Sequence, residues 1–521
     1  MPRARSVATV TTAQQLASTI KSARNIMRKD KGLSTDLDRL PLLTWVMFLK
    51  FLDDMDRMGE TDAELAGKRF RPTLEAPYRW RDWAADEKGI TGDELLAFID
   101  QDEATRPDGA KGPGLFAYLR SLRSANGRDR RDVVATVFRE ISNRATSGYL
   151  LRDILNKING IHFDSTEEMH TLGRFYESML REMRDAAGQN GEFYTPRAVV
   201  RFMVAVLDPR LGETVLDPAC GTGGFLAEAY RHLEVQCEKV EDRRVLQDQS
   251  IFGQDAKSLP YLLGQMNLLL HGLEYPQIAF GNSLAVPLRD IGDADRVDII
   301  LTNPPFGGEE ERVVLDNFPP DKRTAETALL FLQLIMRKLR RPGHGGDRPG
   351  RAAVVVPNGT LFGDGVCARI KEYLLKEFNL HTIVRLPNGV FAPYTSMPTN
   401  LLFFDRSGPT QEIWYYEQPL PEGRKQYTKT KPMQFEEFTD CLAWWHRREE
   451  NDRAWRVPIT QVLQYSQDGS LLSANLDLEN PNGEATVDHR HPEEIVAALL
   501  EAELRMVEIT GHLRRILQEN T

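Results

Sequence analysis

Asn303-Pro304-Pro305-Phe306 follows the apolar run Ile299-Ile300-Leu301-Thr302, a pattern that predicts a buried parallel strand stopping abruptly at its carboxyl end. Two successive prolines cannot continue a ladder, so the chain must leave the sheet there. That edge is where open α/β sheets bind ligands. With the backbone fixed by the prolines, the Asn303 side-chain oxygen and the Pro304 carbonyl can converge as two acceptors. Two rigid acceptors suit an exocyclic amino group, which offers two hydrogens, and Phe306 adds a flat face for stacking a base. The plainer alternative is a turn that only ends a strand, so the choice depends on a ligand site upstream.

Val215-Leu216-Asp217-Pro218-Ala219-Cys220-Gly221-Thr222-Gly223-Gly224-Phe225 supplies a candidate. A strand should end on Asp217, small residues should turn the chain, and a helix should begin near Gly224. Glycines let backbone approach a ligand closely, and a helix start presents unpaired N–H groups. Asp255, ending the next expected strand, is placed to accept ribose hydroxyls; a solvated or capping carboxylate is the alternative. Trp444, Trp445 and His446 are expected to serve packing, and Cys220 to be chosen for size. His271 and His344 have no partner spacing for a metal, and none is expected.

These motifs, in this order, resemble the amino-group DNA methyltransferases that use S-adenosylmethionine. Gly191-Glu192-Phe193-Tyr194-Thr195-Pro196-Arg197 before the sheet and Leu386-Pro387-Asn388-Gly389-Val390-Phe391 after it narrow the resemblance. Together they are similar to the modification (HsdM-type) subunits of type I restriction–modification systems, over nearly the whole chain. The resemblance implies that Glu192, Phe193, Tyr194, Thr195, Pro196 and Arg197 line the methionine end of S-adenosyl-L-methionine. It implies that Asp217, Thr222, Gly223 and Gly224 hold the amino-acid portion, that Asp255 binds the ribose, and that Asn282 meets the cofactor's adenine amino group. Asn282 departs from the acidic residue often found there, although an amide oxygen can still accept. Asn303, Pro304, Pro305 and Phe306 are then the catalytic set, acting on the N6 amino group of an adenine flipped from double-stranded DNA. A separate specificity subunit, bound by two copies of this chain, would choose the sequence, and a restriction subunit would complete a phage-defence complex. Transfer to a protein glutamine amide, or a non-catalytic assembly role, are the competing readings.

The elements that must position these residues fall into three stretches. Residues 1–185 are expected to be a helical N-terminal domain. There Leu37, Leu40, Thr44, Met47, Phe48, Phe51 and Met55 form one helix face closed by Asp53-Asp54, and Thr166 to Met183 forms a further helix. Across 186–410, β-branched runs alternate with helical segments, which predicts an α/β, Rossmann-like methyltransferase domain with a parallel sheet. In the C-terminal region, 411–521, that alternation fades. Ile495, Leu499, Ala502, Met506, Ile509, Leu513 and Ile516 step as a coiled-coil-like seam, suited to subunit contact or to a helix folding back on the chain's own body. The 521-residue chain has a formal charge of −10 and a pI near 5.6, which argues against a freestanding DNA binder. The basic clusters at Arg120–Arg131 and Arg337–Arg351 are expected to be solvated faces or loops. No apolar run approaches the roughly 18 residues of a membrane span, and four scattered cysteines suggest a reduced, cytoplasmic setting; the resemblance implies that the cell is a bacterium or archaeon.

Overall fold

The apolar runs become the middle of one mixed sheet. In the computed structural model the described residues are 13–124, 129–139, 141–161, 195–343, 348–392, 395, 398–428 and 430–482. Nine strands pair: β1 (Val215–Asp217), β2 (Ile251–Asp255), β3 (Gln277–Phe280), β4 (Ile299–Thr302), β5 (Arg351–Pro357), β6 (Asn379–Arg385), β7 (Thr399–Asp405), β8 (Glu412–Glu417) and β9 (Ala454–Pro458). Their order across the sheet is β9-β8-β6-β7-β5-β4-β1-β2-β3. The chain runs outward through β1, β2 and β3, then returns to lay β4 against the other side of β1. A crevice must therefore open between the carboxyl ends of β1 and β4, at the topological switch point.

The expected parallel sheet is only partly parallel. β7 lies between β5 and β6 and is antiparallel to both, and β9 is antiparallel to β8. The sheet also continues past residue 410, where the expected methyltransferase domain ends. β8 is parallel to β6 and is buried on both faces, with Ile413 and Tyr415 inside one and Tyr416 inside the other. Its sequence, Glu412-Ile413-Trp414-Tyr415-Tyr416-Glu417, carries no clear alternation because aromatic residues cover both sides. The four-residue β3 lies between Pro276 and Gly281 and gave no periodic signal.

Helices α1 (Ala13–Met27), α2 (Asp36–Leu65), α3 (Gly92–Asp100), α4 (Leu115–Ser121), α5 (Arg130–Arg139) and α6 (Gly148–Asn159) form the N-terminal layer, with one small hairpin of Glu103–Thr105 on Lys111–Pro113. Leu40, Thr44, Met47, Phe48 and Phe51 are buried as the spacing predicts, while the Leu37 side chain lies outside the described set. Asp53-Asp54 does not close α2, which continues to Leu65. Both carboxylates are buried inside the fold, Asp53 accepting from Arg81 Nε at 2.7 Å and Asp54 paired with Lys50. Partnered in this way, they give the helix no reason to stop. Helix α2 and helix α5 pack on helix α9 (Ser258–Leu270) of the sheet layer, and apolar residues of both layers form one continuous core.

Residues up to Glu479 form one compact unit. The helix expected over Thr166–Met183 and the seam from Ile495 to Ile516 lie outside the described residues. Among the described residues no helix is long and apolar enough to cross a membrane.

Candidate active site

Asp217 ends β1 with 1% of its surface exposed. Its Oδ1 accepts from the Thr302 hydroxyl at 2.7 Å and from the Ala219 N–H at 3.1 Å. One carboxylate thus ties the glycine loop to the last residue of β4. Burial pushes this carboxyl up to about 7, opposed by those two hydrogen bonds and reinforced by the Asp255 charge. The loop beyond it is folded by backbone contacts. Cys220 N–H donates to Gln254 O at 3.0 Å and Gly223 N–H to Cys220 O at 2.8 Å. Gly223 caps helix α8 (Gly224–Glu234) at φ +73°, a left-handed conformation that glycine adopts without strain. Two side-chain N–H donors from other helices then fix the loop. Asn267 Nδ2 donates to Thr222 O at 2.8 Å, and an Arg197 guanidinium nitrogen donates to Gly224 O at 2.8 Å.

Arg197 opens helix α7 (Arg197–Leu207) directly after Pro196. Its enclosure lowers the guanidinium to about 10, with Glu228 acting in the opposite direction. Thr195 is half-buried beside it, whereas Glu192, Phe193 and Tyr194 lie outside the described residues.

Asp255 stands on the neighbouring strand. Its Oδ2 accepts from Gly221 N–H at 2.9 Å and its Oδ1 from Lys257 N–H at 2.8 Å. Burial raises this carboxyl too, against the pull of both backbone bonds. Asn282 begins the next turn, where its Oδ1 accepts from Leu284 N–H at 2.9 Å, the ordinary capping use of asparagine. Its Nδ2 donates instead to Glu310 Oε2 at 3.2 Å. Ser283 Oγ donates to Pro218 O at 2.6 Å, joining this turn to the glycine loop.

Past Thr302 the ladder ends and Asn303-Pro304-Pro305-Phe306 turns over the same crevice. Asn303 Oδ1 is buried with no hydrogen-bond partner among the described residues. A buried amide oxygen left unpaired costs about 1–3 kcal/mol, so such an atom calls for a ligand explanation. Phe306 packs edge-on against Phe391 with ring centroids 5.7 Å apart. Phe391 belongs to the Leu386–Phe391 turn, which is pinned where Tyr427 N–H donates to Asn388 O at 3.1 Å. Pro218, Asp255, Asn282, Asn303, Pro305 and Glu310 all line one cleft.

Thr302 and Glu310 were not singled out in the sequence. Thr302 looked like one more strand residue, and Glu310 lies seven positions beyond Asn303 with no motif around it. Trp444 and Trp445 serve packing as expected, whereas His446 is exposed. Trp444 packs on Tyr416 at 5.0 Å and Trp445 on Phe403 at 4.7 Å. Burial raises the Cys220 thiol well above its ordinary value, which makes it a poor nucleophile. His271 Nδ1 is 2.8 Å from Asn267 O, and His344 lies outside the described residues. In the basic clusters, Arg120 donates to Phe138 O, Arg337 to Leu288 O and Ile291 O, and Arg351 to both oxygens of Glu213. Those three arginines tie down carbonyls and a carboxylate, while Arg123, Arg341 and Arg348 are exposed as expected.

Strand order, with β7 let in antiparallel between β5 and β6, and a crevice built on Asp217 and Asn303 place the chain among the Rossmann-like methyltransferases, here carrying a helical N-terminal region. The family model described as N-6 DNA methylase matches residues 167–468. The EcoEI type I restriction enzyme methylase subunit of Escherichia coli is 46% identical over 512 residues, covering 96% of this chain and 97% of that relative. A modification subunit from Vibrio vulnificus YJ016 superposes with a TM-score of 0.86 at 70% identity, over 92% of this chain and 99% of that one. A chain from a type I restriction–modification system, solved to explain its assembly and conformational transition, superposes at 0.74 with 39% identity, over 98% and 99%. This chain belongs to the N-6 DNA methylase family, among the modification subunits of type I restriction enzymes. It is an adenine-specific DNA methyltransferase.

Proposed function

We propose that S-adenosyl-L-methionine lies along the cleft from the glycine loop to Asn303, and that Asn303 and Pro304 present the N6 amino group of a flipped adenine to it. The observation that carries this reading is the unpaired, buried Asn303 Oδ1 at the switch point. The residues present suit the cofactor. Asp217 and the Thr222-Gly223-Gly224 backbone would hold its amino-acid portion and Asp255 its ribose, Asn282 would border its adenine, and the segment from Glu192 to Arg197 would flank its methionine end. Once bound, S-adenosylmethionine supplies an electrophilic methyl group.

The chain's own residues do the rest by positioning. Adenine N6 is a poor nucleophile because its lone pair is delocalised into the ring. Accepting both N6 hydrogens, at Asn303 Oδ1 and the Pro304 carbonyl, favours a pyramidal nitrogen with its lone pair free for direct in-line transfer. Phe306, braced by Phe391, would stack on the extruded base; such stacking contributes about 1–3 kcal/mol. A separate specificity subunit, bound by two copies of this chain, would choose the sequence, and a restriction subunit would join the same complex.

The deciding experiment uses tritiated S-adenosylmethionine and unmethylated genomic DNA, first with this chain alone and then with its co-expressed specificity subunit. N6-methyladenine is expected only in the second case. Labelled DNA from the chain alone would overturn the outsourced reader, and no label in either case would overturn the assignment of the cleft.

Cofactor affinity should also depend on pH. The Asp217 carboxyl in the ligand-free protein titrates at about 7, and a positively charged amino-acid portion needs it ionised. Below that pH binding must first expel a proton, so affinity should fall up to about tenfold per pH unit. Calorimetric titrations at pH 6 and pH 8 would show this, and Asp217→Asn should flatten the profile. The sign for stability is opposite to that of an ordinary paired carboxylate. Because the folded value lies above the ordinary aspartate value of about 3.9, the native state holds the extra proton between about pH 4 and 7. The group's destabilising contribution therefore grows as pH rises through that window and is complete above 7.

A further inference from the structure

We propose that Glu310 reads the nucleobase of the methyl donor by accepting a hydrogen bond from its 6-amino group. This rests on the cofactor occupying the cleft described above. The resemblance gives that task to Asn282, whose side chain the geometry already uses twice. Its Oδ1 already accepts from Leu284 N–H at 2.9 Å, and its amide nitrogen donates to Glu310 Oε2 at 3.2 Å. That leaves one lone pair on a neutral oxygen, a weaker acceptor than a carboxylate, and the amide NH2 cannot accept a hydrogen bond from an amino group at all. A carboxylate can, and Glu310 keeps Oε1 without a hydrogen bond among the described residues while lining the cleft with Asp255 and Asn303. Ala256, Pro305 and Phe331 line it too, giving a flat ring apolar neighbours with one acidic group at its edge.

Glu310 is held in place by a strap of chain that leaves Phe306 and returns at helix α10 (Thr327–Lys338). Glu310 N–H donates to Ala325 O at 3.2 Å, and Thr327 Oγ1 donates to Gly308 O at 3.0 Å. Farther along, Asn317 Nδ2 donates to Leu284 O at 2.8 Å, and Leu288 N–H donates to Asn317 O at 3.0 Å. Beneath these bonds Leu284, Val314, Phe318 and Phe331 share a small apolar core separate from the main one. The turn that carries Asn282 and the strap that carries Glu310 are thus one fixed assembly, and the carboxylate is positioned before any ligand arrives.

The test compares two ligands for the full-length chain by calorimetry: S-adenosylhomocysteine, and its analogue with hydrogen in place of the 6-amino group. The wild-type protein should prefer the amino compound by about 10- to 100-fold, the range for a hydrogen bond to a charged group. Glu310→Gln should reduce that preference to about threefold or less, because a neutral acceptor makes a weaker bond. Glu310→Ala, which also removes the contact to Asn282, should abolish the preference and bind both ligands more weakly. Three results would overturn the proposal: equal binding of the two ligands by the wild type, an undiminished preference in both Glu310 variants, or equal weakening of both ligands by Glu310→Gln, which marks a purely mechanical latch. Failure of the wild type to bind either ligand would overturn the cofactor assignment itself, a different result from any of these.

Discussion

Asn303→Ala should lower single-turnover methyl transfer by at least about 100-fold, the scale seen when one preorganised polar contact to a reacting group is removed, while cofactor affinity stays within about twofold. Asp217, Asp255 and the glycine loop reach their partners without Asn303, which is why binding should survive. The same substitution should leave the ligand-free protein as stable as before, or slightly more so. It deletes an oxygen that is buried and unpaired, and relief of such a group is worth about 1–3 kcal/mol before the small cavity is counted. Quench-flow transfer assays with the specificity subunit, set beside denaturant titrations of the free chain, would measure both effects. A variant that turns over at near the wild-type rate would remove Asn303 from the reaction.

Gly389→Ala should damage the other wall of the base site. Gly389 has φ +79°, where alanine costs about 1–2 kcal/mol. A Cβ built there would lie 2.3 Å from Tyr427 O. The oxygen is backbone and the Cβ has no rotamer of its own, so no side-chain movement relieves the overlap and the turn itself must shift. Phe391 moves with the turn, and Phe306 loses the ring it leans on. The expected result is a transfer rate lower by about 10- to 100-fold, with overall destabilisation of about 2–4 kcal/mol. Binding of S-adenosylhomocysteine should be nearly unchanged, because the glycine loop belongs to other strands. Fluorescence of 2-aminopurine at the target position would report whether the extruded base is still held. Wild-type fluorescence and rate would show that the Leu386–Phe391 turn is not part of that wall.

What the sequence disclosed follows from where its signals are local. β1 and β4 are short apolar runs, each halted by a proline within two residues, so both the strands and their exit points could be placed from neighbouring residues. The bond from Thr302 to Asp217 spans 85 positions and leaves no local trace, although it joins the two loops that matter most. Asn282 carries two signals at once. Asparagine two residues before a turn's second N–H is a capping pattern, which the bond to Leu284 shows, and the resemblance assigns the same residue a cofactor contact. α2 passes Asp53-Asp54 because Arg81 and Lys50 meet those carboxylates, and one of these partners comes from a distant part of the chain. β8 and β9 were hidden by aromatic residues on both faces and by the 36 residues between Glu417 and Ala454, which hide the alternation of strand and helix.

The undivided apolar core beneath α2, α5 and α9 has a consequence for how this molecule can be cut and how it can change. Arg130 reaches across the same junction, donating to Glu274 O at 3.1 Å, so polar and apolar ties coincide there. A fragment beginning at Thr195 would carry α9 with one flank bare to water, and it should clump rather than remain dispersed. Melting of the residues up to Glu479 should then be a single cooperative event, with no earlier step in which the helical layer peels away. Over generations, substitutions on the inner side of α2 should be accepted in step with those on α9, so the two layers would be inherited and exchanged as one piece.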